Sequence, residues 1–246
     1  EKNIFYHIIK YFYESGQISN AYNLINSNKL IEDEYSNYYN LIKINYLLST
    51  FQLDNACEFE ELTKNFDFQN NLKEKLDIFC SVLKENISEA ELLNSILIDT
   101  EQTEDLYFQY LYSSLLYKDK MNIEKINNYD DSFMNIDLVY LYSAMTRIAE
   151  LPLNKNFLEI DSNNLTIPII LNQKTSIDLR IKAANQGYID KTITIDSLAA
   201  LYQSVDFNSQ QLNDPEKTIL ELSENTELLM AYYFQLINIQ IFPSER

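Results

Sequence analysis

Two glycines, Gly16 and Gly187, stand in a chain of 246 residues, where average usage would place roughly 17. Glycine lets a backbone take positive φ or come close to a phosphate, so its scarcity closes routes to function before any motif is read. A P-loop, a G-x-G-x-x-G dinucleotide turn and a hairpin-rich barrel all depend on it. Helices do not. With 46% hydrophobic and 13% aromatic residues, the chain has enough apolar surface for one large domain or two ordinary ones, and helices are left to bury it.

A helical repeat is legible in the first hundred residues. Gly16-Gln17-Ile18-Ser19-Asn20-Ala21 aligns with Phe51-Gln52-Leu53-Asp54-Asn55-Ala56 and with Glu85-Asn86-Ile87-Ser88-Glu89-Ala90, the alanines lying 35 and then 34 residues apart. Around each alanine the same columns stay apolar. Twelve residues before it stand Ile9, Ile44 and Ile78; eight before, Tyr13, Leu48 and Val82; three before, Ile18, Leu53 and Ile87; three after, Leu24, Phe59 and Leu93. The columns at twelve and eight share one face of a first helix. A turn follows, and a second helix begins just before the alanine, whose small side chain lets the two backbones approach. Each such hairpin leaves an apolar side to be covered by its neighbour.

The pattern G-x-φ-x-x-A at this period resembles the tetratricopeptide repeat over about residues 1–100, with Gly16 and Ala21 where that family's turn glycine and alanine sit. Phe51 and Glu85 replace the glycine in the second and third copies, and no copy ends in the family's proline. The resemblance implies an all-α fold, a right-handed superhelix of antiparallel helix hairpins, followed here by a less regular C-terminal helical part. A weaker fourth unit spans about 104–128, its alanine column falling on Glu124, and a helix over 136–151 stops at Leu151-Pro152-Leu153. Thr166-Ile167-Pro168-Ile169-Ile170 reads either as a strand or as a short buried helix. Further helices are expected over 176–186, closed by Gly187 as a C-terminal cap, over 194–205, and from Pro215 to about Ile241. The division is into a repeat domain, 1–150, and a C-terminal helical region, 151–246, unless the two are one continuous superhelix.

Charge narrows the partners. With 37 acidic and 19 basic residues the net charge is -18, and the three arginines, Arg147, Arg180 and Arg246, are scattered. A nucleic-acid interface needs a basic stripe, so none is expected, and anionic membrane surfaces are disfavoured for the same reason. The longest apolar stretch, 228–242, is interrupted by Gln235, Asn238 and Gln240 and is shorter than the ~20 residues a membrane span needs. Opening on Glu1, the chain reads as a mature or excised form.

Catalytic and metal constellations are sparse. His7 is the single histidine, and Cys57 and Cys80 have no third ligand to make a zinc site; no metal and no cofactor is expected. Carboxylate runs such as Asp130-Asp131, Glu60-Glu61 and Glu32-Asp33-Glu34 read as solvated faces. Glu14-Ser15 after an apolar helix is similar to the Glu-Ser pair of lytic transglycosylases, in which a glutamate of raised pKa acts as general acid, but that family's glycine-rich continuation is missing. Cys57 falls in the second helix of one hairpin and Cys80 in the first helix of the next, at equal distances from the intervening turn. They are either a disulfide across that joint, which would place the protein in an exported, oxidising compartment such as the periplasm, or two buried thiols of a cytoplasmic protein. Asn86-Ile87-Ser88 and Asn164-Leu165-Thr166 match the glycosylation pattern, and Ser88 with Glu91 reads as a capping box.

Nineteen tyrosines and no tryptophan remain to be explained. Tyrosine gives contact area with a polar end and suits interfaces; the alternative is a core of Tyr, Ile and Leu drawn from an AT-rich coding sequence. The reading that follows is a non-catalytic protein-interaction scaffold with an acidic, tyrosine-rich helical-repeat surface, its partner a protein or peptide of basic or mixed charge. Tyr6, Tyr13, Tyr38, Asn40 and Asn45 on the first helices of the hairpins are the candidate binding residues. A structural subunit docking through its ends, or an enzyme acting on glycan or peptide, are the alternatives.

Overall fold

The computed structural model describes residues 2–28, 34–62, 68–101, 105–117 and 138–241. These are helical, with no strand among them. They fall into two compact units, Glu1–Ile160 and Asp161–Arg246.

In the first unit α1 (Lys2–Glu14) pairs with α2 (Ile18–Ser27), α3 (Ser36–Ser49) with α4 (Leu53–Leu62), and α5 (Leu72–Leu83) with α6 (Ile87–Thr100). The turns inside these pairs are copies of one another. Gly16, Phe51 and Glu85 all take left-handed backbone, with φ of 75°, 61° and 59°. At each turn that residue's N–H donates three residues back, to Tyr13, Leu48 or Val82, and the next N–H donates five residues back, to Phe12, Leu47 or Ser81. This closes the helix carbonyls as a Schellman turn does. The loss of glycine in the second and third copies therefore leaves the turn in place, at the energetic disadvantage a side chain has in that region. Ala21, Ala56 and Ala90, each the fourth residue of its helix, α2, α4 and α6, are fully buried.

A short 3-10 turn at Gln69–Asn71 leads into α5, with Asn70 and Asn71 in left-handed backbone. Cys57 on α4 and Cys80 on α5 form a disulfide, their Cα atoms 5.7 Å apart; of the two readings of these cysteines, the cross-link between consecutive hairpins is the one present. α6 starts at Ile87 with Asn86 as N-cap, so Ser88 and Glu91 do not make the expected capping box. Instead Asn86 Nδ2 donates to Glu89 Oε2 at 2.6 Å.

The chain continues through α7 (Leu106–Leu116), α8 (Val139–Ile148) and α9 (Lys155–Ile160); Glu124, the column of the fourth unit, lies outside the described residues. α8 packs against α7 and also back onto α3, and Val139 to Thr146 are buried without interruption. It ends in one more left-handed turn at Glu150, and Arg147 rests over the Phe51 ring at 3.9 Å. α9 packs on α8, so the first unit runs past Pro152 to Ile160.

In the second unit the ambiguous Thr166–Leu171 segment is a helix, α10, packed on α11 (Ile177–Ile189). Gly187 is not a C-terminal cap: it is buried inside α11, where a Cβ would stand 2.6 Å from Thr166 Cγ2 and 2.9 Å from Thr192 Oγ1. The residue that ends the helix in left-handed backbone is Lys191. α12 (Ile195–Gln203) follows, and the single helix expected from Pro215 onward is α14 (Pro215–Glu221) and α15 (Thr226–Ile241), preceded by α13 (Ser209–Asn213). Asn208 and Gln211 supply a true capping box for α13. Asp214 caps α14, and the core gathers Ile181, Ala184, Leu198, Leu201 and Ala231 between α11, α12 and α15.

Candidate functional site

Helical spacing puts Tyr6 and Tyr13 two turns apart on α1, and the pairing of hairpins brings α3 alongside, carrying Tyr38 and Asn45. Tyr38 sits edge-on between the two α1 tyrosines, 5.4 Å from the Tyr6 ring and 6.1 Å from that of Tyr13. Tyr35 lies flat on Tyr6 at 4.1 Å, and Phe5 meets Tyr39 edge-on beneath. Asn45 Nδ2 donates to the Tyr13 hydroxyl at 2.9 Å. The result is a ladder of rings spanning two hairpins, fixed by stacking on one side and a hydrogen bond on the other.

Four of the five residues singled out in the sequence thus meet. Tyr6, Tyr13 and Tyr38 are partly exposed, whereas Asn45 and Asn40 are buried in α3, so the tyrosines form the accessible part and Asn45 holds it in place. Asn45 Oδ1 is buried without a hydrogen-bond partner among the described residues. The hydroxyls of Tyr6 and Tyr38 have no hydrogen-bond partner among the described residues, and both side chains are half-buried. Burial, then the neighbouring Tyr13, Glu14 and Tyr6, push the Tyr38 hydroxyl well above the ordinary tyrosine range, which keeps it a proton-bearing donor. Glu14 stands at the rim, exposed and 3.6 Å from Lys10. Ser15 donates to the Phe12 carbonyl, so the Glu14-Ser15 pair belongs to the end of α1 and its turn. His7 is exposed next to Tyr6.

A second constellation was not visible in the sequence. Lys75, 2% exposed on α5, reaches Glu101 Oε1 at 2.9 Å and Asp105 Oδ2 at 2.8 Å. Asn71 Nδ2 also donates to Glu101 Oε1, at 3.0 Å. Asp105 caps α7 through the Phe108 N–H and accepts from the Tyr142 hydroxyl of α8, while the ammonium lies over the Phe108 ring at 5.6 Å. One buried lysine therefore ties α5 to the end of α6, the start of α7 and the middle of α8. Burial, then the Asp105 carboxylate, hold the Tyr142 hydroxyl far above its ordinary pKa. Signals existed in hindsight: Lys75 falls in the apolar stripe of Leu72, Leu76 and Phe79, where a charge must be paired.

Among the described residues there is no cluster of three side chains suited to a metal ion, and no helix long and apolar enough to cross a membrane. Compared with known protein families, curated proteins and solved structures, the chain matches none. Fold and site together define an all-α, multi-helix, disulfide-bearing protein with a tyrosine ladder on its first two hairpins.

Proposed function

We propose that the chain is a non-catalytic protein-interaction module, a tetratricopeptide-like stack of hairpins that offers the tyrosines of α1 and α3 to a protein or peptide. The observation that carries this reading is the convergence of Tyr6, Tyr13 and Tyr38 from two hairpins into one partly exposed ladder, in which the Tyr6 and Tyr38 hydroxyls donate to no described residue. Rigid aromatic side chains with a polar end supply contact area at low entropic penalty. A net charge of -18 favours basic or mixed-charge partners and a salt-sensitive on-rate. The disulfide supports an exported, oxidising location. The test is affinity capture from the native source at low and high salt, with the wild type beside a Tyr6→Ala, Tyr38→Ala variant. A partner lost with the variant and weakened by salt is expected; equal capture by both refutes the ladder as the binding surface.

A specific observation favours one alternative. α1 leaves Ile4, Ile8 and Tyr11 exposed at helical spacing, and α8 already covers part of α3, as a structural subunit docking through its ends would have it. In that case Ile8→Glu with Tyr11→Glu abolishes capture and the ladder variant leaves it unchanged.

A further inference from the structure

The chemistry of the ladder constrains what it can hold. Tyr6 and Tyr38 offer two O–H donors without partners among the described residues, set among rings and beside the Glu14 carboxylate, which pairs with an exposed Lys10. A matching segment brings acceptors and apolar rings and few donors. An α-helix has its carbonyls already engaged, and an extended strand brings N–H groups that no sheet edge among the described residues receives. A polyproline II segment fits both requirements, because it has no internal hydrogen bonds, turns its carbonyls outward, and at proline positions has no N–H.

Spacing points the same way. Tyr6 and Tyr13, seven residues apart on α1, are separated by about 10.5 Å along the helix axis, and one polyproline II turn of three residues advances about 9.3 Å. Two prolines on the same side of such a segment therefore fall on either side of Tyr38, which stands edge-on to both α1 rings. Tyr35, stacked on Tyr6, holds that ring in place before anything binds, which lowers the entropic loss on association. Glu14 lies at the Tyr13 end and adds to the negative field there.

We propose that the tyrosine ladder is the seat of an extended, proline-rich segment in the polyproline II conformation, with a lysine or arginine at the end that meets Glu14. The proposal rests on the interaction reading above and names the partner's chemistry. It is tested with a fluorescein-labelled decapeptide of two Pro-x-x-Pro turns ending in arginine, beside a copy with every proline replaced by alanine, titrated into the full chain by anisotropy. The proline peptide is expected to bind, with the alanine copy at least about tenfold weaker, as loss of preorganisation and ring contact dictates. Tyr38→Phe keeps the ring and removes one donor, and should weaken binding about three- to tenfold; Tyr233→Ala, on α15, should leave it unchanged. Circular dichroism melts of each variant separate lost binding from lost fold. If the alanine copy binds as tightly and still depends on Tyr6 and Tyr38, the proline preference is refuted while the ladder stands. If neither peptide responds to Tyr6→Ala or Tyr38→Phe in folded protein, both are refuted.

Discussion

Replacing Lys75 by methionine should be the most damaging single change in the first unit. The side chains of Lys75, Glu101 and Asp105 are 3%, 4% and 12% exposed, so neither carboxylate can turn to water when the ammonium is removed. Among the described residues Glu101 Oε2 already lacks a hydrogen-bond partner. Both carboxylates touch one nitrogen, so they are at most ~6 Å apart, and at an effective dielectric of ~20 they repel by ~3 kcal/mol. The usual loss on breaking a buried pair, about 3–5 kcal/mol, is of the same size. Methionine keeps the stem's packing, which isolates the charge. Urea unfolding at neutral pH, followed by far-ultraviolet circular dichroism, should show that loss for Lys75→Met. The triple variant Lys75→Met, Glu101→Gln, Asp105→Asn should recover most of it, because no charge is then left buried and an asparagine side chain can still cap α7. The reasoning fails if Lys75→Met loses less than about 1 kcal/mol, or if the three changes prove additive where a shared network demands coupling.

Three further outcomes follow from the same geometry. The disulfide joins residues 23 apart in sequence, and loop-closure entropy alone gives it about 3 kcal/mol; the Cys57→Ala, Cys80→Ala variant should show a loss of that order in denaturant, and one below about 1 kcal/mol would mean that its unfolded chain stays compact. Tyr107 and Tyr142 are buried, and burial raises both hydroxyl pKa values above the unfolded value near 10. Their stabilisation is complete below pH 10 and is lost above it, where the unfolded state releases protons that the folded state keeps. Stability should fall by about 1.4 kcal/mol per pH unit for each, and absorbance at 295 nm should show these two ionising only with unfolding; early, complete titration would contradict their burial. Finally, Glu85 is exposed and held at φ 59°, so Glu85→Gly should stabilise the protein by about 0.5–1 kcal/mol in a thermal melt, and a destabilised variant would show that the side chain has a hidden role.

What the sequence disclosed was whatever repeats or alternates. The alanines and the left-handed turn positions recur at one period, so the hairpins of α1 to α6 could be drawn from the text, even where Phe51 and Glu85 hide the glycine. The cysteines could be placed across a joint because that joint had already been drawn. Gly187 misled because a glycine at a helix end and one at a close helix contact look alike in sequence; Thr166, the side chain it must avoid, is 21 residues away. The break at Leu222–Asn225 has no proline or glycine to mark it. The Lys75 network was invisible for a similar reason, since its members come from four elements and each is an ordinary charge or tyrosine in its own segment. Tyr6, Tyr13 and Tyr38 could be chosen by face, but whether their hydroxyls were used depended on tertiary neighbours such as Asn45.

The placement of the disulfide also sets where the molecule can come apart. It binds the second hairpin to the third, and the Lys75 network ties the third to α7 and α8, so α3 to α8 should open as a single block in native-state hydrogen exchange. α1 and α2 are outside that block and are held to it by helix packing, the ring contacts and the bond from Asn45 to Tyr13. They are therefore the first segment free to fray, and the tyrosine ladder crosses that seam, with Tyr6 and Tyr13 on the loose side and Tyr38 on the fixed one. Whatever occupies the ladder bridges the seam, so binding and the closing of the first hairpin are one equilibrium: a ligand raises the amide protection of α1, and a change that loosens α1 weakens the ligand without touching it.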